Sequence, residues 1–370
     1  MSNTRSTALL RLIVTVIGCV VVAVMVLTVT GCRQSQVLST LSDTPPQAEV
    51  EEGPKYFWPL TNLPADDEQV ISARPISMKI DNFPDARPQS GLIDADIVYE
   101  VVVEGSMTRF HALFHSVLPS LAGPLRSARS TDAWVVDQWG SYLIFSGATP
   151  ETIGELSYRG VEMITESSDG RIFERSTDRI APHNLYVHLD NMAQVAPEFG
   201  IDVSSWQIRT LEFAAPESED APATDATTGQ ADAGQSASQA AAMTDTDDPD
   251  DVSAALTRAI TIPFGGVTAR WEWDPTTKTY LRFQDGAEHL DLTSGRQISA
   301  KNVVVLWADY YLMEHGLVSM FSGGTRTDGN WTTAGAAPPE LRTVDNRPIT
   351  FQSGNTWFEV VYEGTEVVVE

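Results

Sequence analysis

Ile97-Val98-Tyr99-Glu100-Val101-Val102-Val103-Glu104-Gly105-Ser106-Met107-Thr108-Arg109-Phe110-His111-Ala112-Leu113-Phe114 is the stretch on which the fold turns. Every residue from Ile97 to Val103 except Glu100 is β-branched or aromatic, Phe110, Leu113 and Phe114 enrich the second half, and Gly105-Ser106 lies between. Such a pattern predicts two buried strands joined by a hairpin-like turn. It also bears on chemistry. Two glutamates four residues apart lie within about 6 Å on a helix face, but about 13 Å apart along a strand rising ~3.3 Å per residue. Paired glycosidase carboxylates stand roughly 5 Å apart for retention, or up to about 9.5 Å for inversion. Glu100 and Glu104 are therefore expected to pair with arginines such as Arg109, with the catalytic acid pair as the alternative.

Working outward, Ile76 to Ile80 reads as another buried strand, and Thr131 to Trp139 and Asn191 to Phe199 as helices. Pro150 to Gly160 reads as a helix capped by Thr149, with Glu151 in its first turn. Farther on, Val267, Ala269, Trp271 and Trp273 alternate with polar residues, the period of a half-buried strand, and Asp274-Pro275-Thr276-Thr277 turns into Tyr280 to Phe283. Lys301 to Trp307 is a buried strand, and Ile349 to Gln352 is expected to pair with Thr356 to Val361 across Ser353-Gly354-Asn355. The fold class is α+β: a mixed N-terminal domain over 71–213 and a mostly antiparallel β domain over 256–370. Between them, 214–255 is acidic and low in complexity, with too few large apolar residues to offset its ordering entropy, and is expected to be disordered.

The N-terminus carries an address. Arg5 and Arg11 precede an apolar run from Leu12 to Val29, and Val29-Thr30-Gly31-Cys32 forms a lipobox. Residues 1–31 read as an export signal, Cys32 as the lipid-bearing residue, and 32–70, rich in proline, as a tether. The alternative is an uncleaved membrane-spanning helix, since about 20 apolar residues suffice to cross a bilayer. Both place the rest of the chain on the outer face of the membrane, because positive residues stay inside. Cys19 and Cys32 are the two cysteines of the chain, which excludes thiol catalysis and cysteine-ligated metal from the folded part.

The net charge of -26 argues against nucleic acid as a partner. Lysine occurs at Lys55, Lys79, Lys278 and Lys301, and the remaining basic residues are arginines, whose planar fork suits carboxylates and phosphates. Polar groups are densest from Lys79 to Asp132. Arg126 and Arg129, with Ser127, Ser130, Thr131 and Asp132 beside them, could form an anion clamp, strengthened by a helix N-terminus if Thr131 caps the following helix. The competing reading ties these arginines to Asp81, Asp96, Glu100 or Glu104. His111 and His115 repeat the H-x-x-x-H spacing but lack the helix that lets both rings reach one metal, so no metal or cofactor is expected. His183, followed by Asn184, is a better loop histidine. No P-loop, G-x-S-x-G or dinucleotide fingerprint stands in a supporting context.

Several of these blocks together carry a resemblance. Arg74-Pro75 through Asp81-Asn82, Ala86-Arg87-Pro88-Gln89-Ser90-Gly91-Leu92, Asp96 to Glu100, Thr108-Arg109-Phe110, Gly123 to Arg129, Ala181-Pro182-His183-Asn184-Leu185-Tyr186, Thr277 to Arg282 and Ser299 to Val303 resemble the YerB-like lipoproteins. The resemblance implies an extracytoplasmic lipoprotein with a two-part α+β fold and no activity to carry over. Two features depart from it: a longer acidic linker, and histidines at 111 and 115 where apolar residues are expected. The reading is a membrane-anchored, non-catalytic envelope protein that binds an anionic or peptide-like wall component, or a protein partner. Its candidate ligand residues are Arg87, Arg109, Arg126, Arg129, Asp132, His183 and Asn184. The alternative is a cell-wall hydrolase or transferase using Glu100 or Glu104 with His183.

Overall fold

A computed structural model describes residues 53–167, 169–204, 206–215, 256–309 and 314–370. The apolar run, Cys32 and nearly all of the acidic linker lie outside the described residues. Before the linker come β1 (Ile76–Asp81), β2 (Ile97–Val102), β3 (Thr108–Phe114), α1 (Thr131–Trp139), β4 (Tyr142–Phe145), α2 (Pro150–Tyr158) and β5 (Met163–Thr165). After it come β6 (Ala259–Pro263), β7 (Thr268–Asp274), β8 (Thr279–Gln284), β9 (Asn302–Ala308), β10 (His315–Ser322), β11 (Thr325–Thr332), β12 (Glu340–Thr343) and β13 (Thr356–Tyr362). The fold is α+β. The β2–β3 hairpin, α1 and the β7–β8 hairpin form where the sequence predicts them, and Thr149 caps α2 by accepting the Thr152 N–H at 3.2 Å.

Strands from both sides of the linker make one ten-stranded sheet, in the order β12-β11-β10-β9-β13-β2-β3-β1-β4-β5. Its seam is β13, parallel to β9 on one side and to β2 on the other, with Thr356 opposite Ile97 and Val360 opposite Val101. The hairpin expected between 349–352 and 356–361 does not form. Phe351 instead bridges to Phe213, and the Ile349 N–H bonds Leu341. Trp357 and Val361 are buried in one core and Phe358 and Val360 in the opposite one, so β13 is covered on both faces, as parallel central strands are.

A second, antiparallel sheet (β8, β7, β6 and Val368–Val369, with two short strands beside β8) packs on one face of the seam. Val303 and Val305 of β9 point into the core shared with Trp271 and Trp357, whereas Val304 and Leu306 point into the opposite core with Tyr99, Trp139 and Phe358. Period two along a central strand thus divides the interior into two layers.

Two local expectations change. The tether expected through residue 70 is already packed at Leu60 and Thr61, which are buried; Thr61 O accepts the Gly354 N–H at 2.7 Å, and Trp58 meets the His115 ring edge-on at 4.9 Å. Pro59 lies in a turn here, and Pro64 in a short strand opposite Phe57. Thr131 does not cap α1. Ser130 occupies the cap position with no side-chain bond, and the Asp132 carboxylate accepts the Arg129 N–H at 2.6 Å.

Candidate functional site

Three polar clusters surround the β1–β3 strands, and two of them are sealed. In the first, Arg282 of β8 lies fully buried between Glu100 of β2 and Glu359 of β13. Its Nη1 donates to Glu359 Oε1 at 2.9 Å, its Nη2 to Glu100, and its Nε to His289 Nδ1 at 2.9 Å. The guanidinium also lies 4.6 Å from the Trp357 ring centre and 5.0 Å from that of Trp271, a cation–π setting. Burial, then the neighbouring Glu100, pushes the Glu359 carboxyl up to about 8. Glu100 also accepts from Asn82 Nδ2 at 3.1 Å and Thr108 Oγ1 at 2.5 Å. Glu100 is fully buried. The catalytic role considered for Glu100 is therefore corrected: a buried carboxylate whose oxygens are taken by the fold has none left for a substrate.

In the second cluster Lys79 of β1 donates to Asp132 Oδ1 at 2.6 Å, and His111 Nδ1 lies 2.9 Å from the same oxygen. All three side chains are buried. Burial lowers the lysine and the imidazole; Lys79 and His111 hold the Asp132 carboxyl below the usual range against its own burial. Asp132 thus anchors the start of α1 and is not a ligand group. His115 lies between Trp58 and Trp206, with ring centres 4.9 and 5.0 Å away, well apart from this pair.

The third cluster opens to solvent. Arg126 follows Leu125, which bridges Ile80 at the side of β1, and its N–H bonds Lys79 O at 2.9 Å. Asp81, at the end of β1, is nearly buried and receives His183 Nδ1 at 2.7 Å and Arg126 Nε at 3.4 Å. Phe83, itself bonded through its N–H to Asp81 Oδ1 at 3.1 Å, stacks on the His183 ring at 5.0 Å. Phe83 and Ile180, on the turn that carries His183, are exposed apolar neighbours. Arg109 donates to Ser127 O at 2.7 Å; burial, then Arg129 and Arg126, pushes its guanidinium down to about 10.

The remaining predicted residues are spent elsewhere. Arg87 reaches across the linker-separated halves to Asp285 Oδ2 at 2.5 Å and also donates to Asn82 O, so it is a brace rather than part of the clamp. Arg129 holds Glu104 with two bonds, at 2.7 and 2.6 Å, and lowers that carboxyl to about 2. Glu104 is exposed while Glu100 is sealed, so the two glutamates share no site with each other or with His183. Asn184 accepts from Arg175 at 2.7 Å and donates to Ser176 O, closing its own loop. Among the described residues no group of three or more His, Cys, Asp or Glu side chains is arranged to hold a metal.

Sequence reasoning missed the partnership of His183 with Asp81 and the platform of Phe83. Asp81-Asn82 standing directly before Phe83 was the available signal, but 102 residues separate the pair.

Residues 60–202 match the N-terminal domain, and 260–358 the C-terminal domain, of the family described as protein of unknown function (DUF3048). The chain belongs to this YerB-like family. It is similar, at 25% identity over 82% of its length and 85% of the relative's, to a Bacillus subtilis (strain 168) protein named "Putative lipoprotein YerB". The crystal structure of the YerB protein from Bacillus subtilis has the same fold, with a TM-score of 0.69 at 22% identity, covering 85% of this chain and all of that one. Asp81, Arg126 and His183 of this YerB-like chain fall within the N-terminal match. The lipoprotein relative points to a lipid anchor; among the described residues no helix is long and apolar enough to cross a membrane.

Proposed function

We propose that this YerB-like protein is held on the outer face of the cell membrane by lipid on Cys32. There it binds without catalysis, receiving an anionic group of a wall component or of an envelope protein at the Arg126–His183 corner. The observation that carries the reading is the state of Arg126. Its guanidinium is fixed through Nε alone, by one 3.4 Å contact with a nearly buried carboxylate, and its terminal nitrogens bond no described residue. Two donors in a planar fork, preset by Asp81 and backed by Arg109, suit a carboxylate or phosphate. Phe83 and Ile180 offer apolar contact to the part of the ligand that carries the charge. The paired-acid alternative lacks support, because Glu100, Glu104 and His183 point to three different environments.

The test is sedimentation of the soluble domain with isolated wall fragments. Arg126→Gln is expected to weaken retention at least about tenfold, the effect of losing a charged hydrogen-bonding pair, with the melting temperature unchanged. Equal retention of the variant and the parent protein would sink the reading. Lipid on Cys32 is checked separately by Cys32→Ser, which should move the protein from the membrane fraction to the soluble one.

A further inference from the structure

We propose that the cleft between Lys278 and Lys301 is a second binding site, taking a small ligand that joins an anionic group to a sugar-sized ring lying against Trp273. The cleft, of about 510 Å³, is lined by Trp273, Pro275, Lys278, Lys301, Gln352 and Ser353. That volume is in the range of small-molecule sites, roughly 300–1,000 Å³.

The charge pattern is what points to an anion. The chain carries -26 and has four lysines. Lys79 is buried against Asp132, and Lys55 lies over the Tyr56 ring. The other two meet at this cleft with no carboxylate paired to either among the described residues. Lys301 Nζ reaches the backbone carbonyls of Lys278 and Thr277, at 2.9 and 3.4 Å. Its ammonium is lowered by burial and then by Lys278. Two ammonium groups that disfavour each other gain most from an anion set between them.

The walls are shaped for these side chains. A Cβ on Gly354 would stand 2.3 Å from Lys301 Cγ, and one on Gly323 would stand 2.6 Å from Gln352 Nε2. Lys278 itself sits at φ 52°, a left-handed position in the β7–β8 turn that ordinarily goes to Gly or Asn. Gln352 and Ser353 add donors beside the ammonium groups, and Trp273 supplies a flat apolar wall.

Titration calorimetry of the intact soluble domain with glucose 6-phosphate, inorganic phosphate and glucose tests the site. Glucose 6-phosphate should bind saturably, phosphate more weakly, and glucose not at all. Lys278→Asn removes one ammonium while suiting the left-handed backbone, so it should keep the fold and weaken glucose 6-phosphate at least about tenfold. Arg126→Gln should leave that binding unchanged. The proposal falls if glucose 6-phosphate does not bind, if Lys278→Asn leaves it unaffected, if Arg126→Gln abolishes it, or if glucose binds equally well. Phosphate binding as tightly as glucose 6-phosphate would overturn the ring-binding half.

Discussion

Arg87, Arg126 and Arg129 carry the same side chain and differ in what their guanidinium groups still have to offer. Arg87 and Arg129 are held by carboxylates and carbonyls, and Arg126 by a single contact. Arg87→Gln should therefore cost about 1–2 kcal/mol of stability through lost charged hydrogen bonds and leave wall-fragment retention intact, which urea unfolding and sedimentation would show together. His115 illustrates the opposite case, a titratable group that burial has silenced. The fold holds its imidazole down to about 4 instead of 6.5. The unfolded chain therefore binds a proton that the folded chain refuses, and this stability is present above about pH 6.5 and lost as pH falls toward 4. The shift corresponds to at most about 3 kcal/mol. His115→Phe keeps the aromatic contacts with Trp58 and Trp206 and should flatten the loss between pH 7 and 4, measured as urea midpoints across that range.

Among the elements, the decisive contact is β8 against the seam of β2 and β13. Arg282 donates to Glu100 and shares Glu359 with the Trp271 indole N–H, which donates to the same oxygen at 2.7 Å. Arg282→Met would leave buried acids without their cation, and breaking a buried pair from one side costs about 3–5 kcal/mol; far-ultraviolet dichroism and solubility should show a protein that folds poorly. Glu359→Gln has the shape of the protonated acid and keeps an oxygen for both donors. The raised carboxyl supplies stability that is present at low pH and lost as pH climbs from about 4.5 toward 8. Unfolding of the Gln variant should lack that decline. Helices α1 and α2 and both hairpins were legible beforehand because apolar period, capping threonine and turn residues are local signals. The neighbours of β13 were not, because a strand buried on both faces carries no mark of which strands will flank it.

For the whole molecule, the two family blocks are joined by sheet pairing as well as by chain. Residues on β2 and β13 are in register over five pairs, from Thr356 opposite Ile97 to Val360 opposite Val101, and Arg87–Asp285 and Glu100–Arg282 add ion pairs across the same halves. Cutting a protease site engineered within 216–255 should therefore leave both fragments in one particle on gel filtration, with one cooperative thermal transition. Two separated fragments, or two transitions, would show that the halves are independent. What the sequence determined alone was the α+β class, helices α1 and α2, the β2–β3 and β7–β8 hairpins, and the polar, arginine-bearing stretch from Arg87 to Asp132. Only the tertiary structure decided that Glu100 is a sealed strut, that His183 leans on Asp81, and which arginine is left open. Propensity, period and turn chemistry act between residues a few positions apart. Solvent exposure and the pairing of charges depend on contacts made across 102 residues at His183 and 182 residues at Glu100, and that separation leaves no periodic trace in the chain.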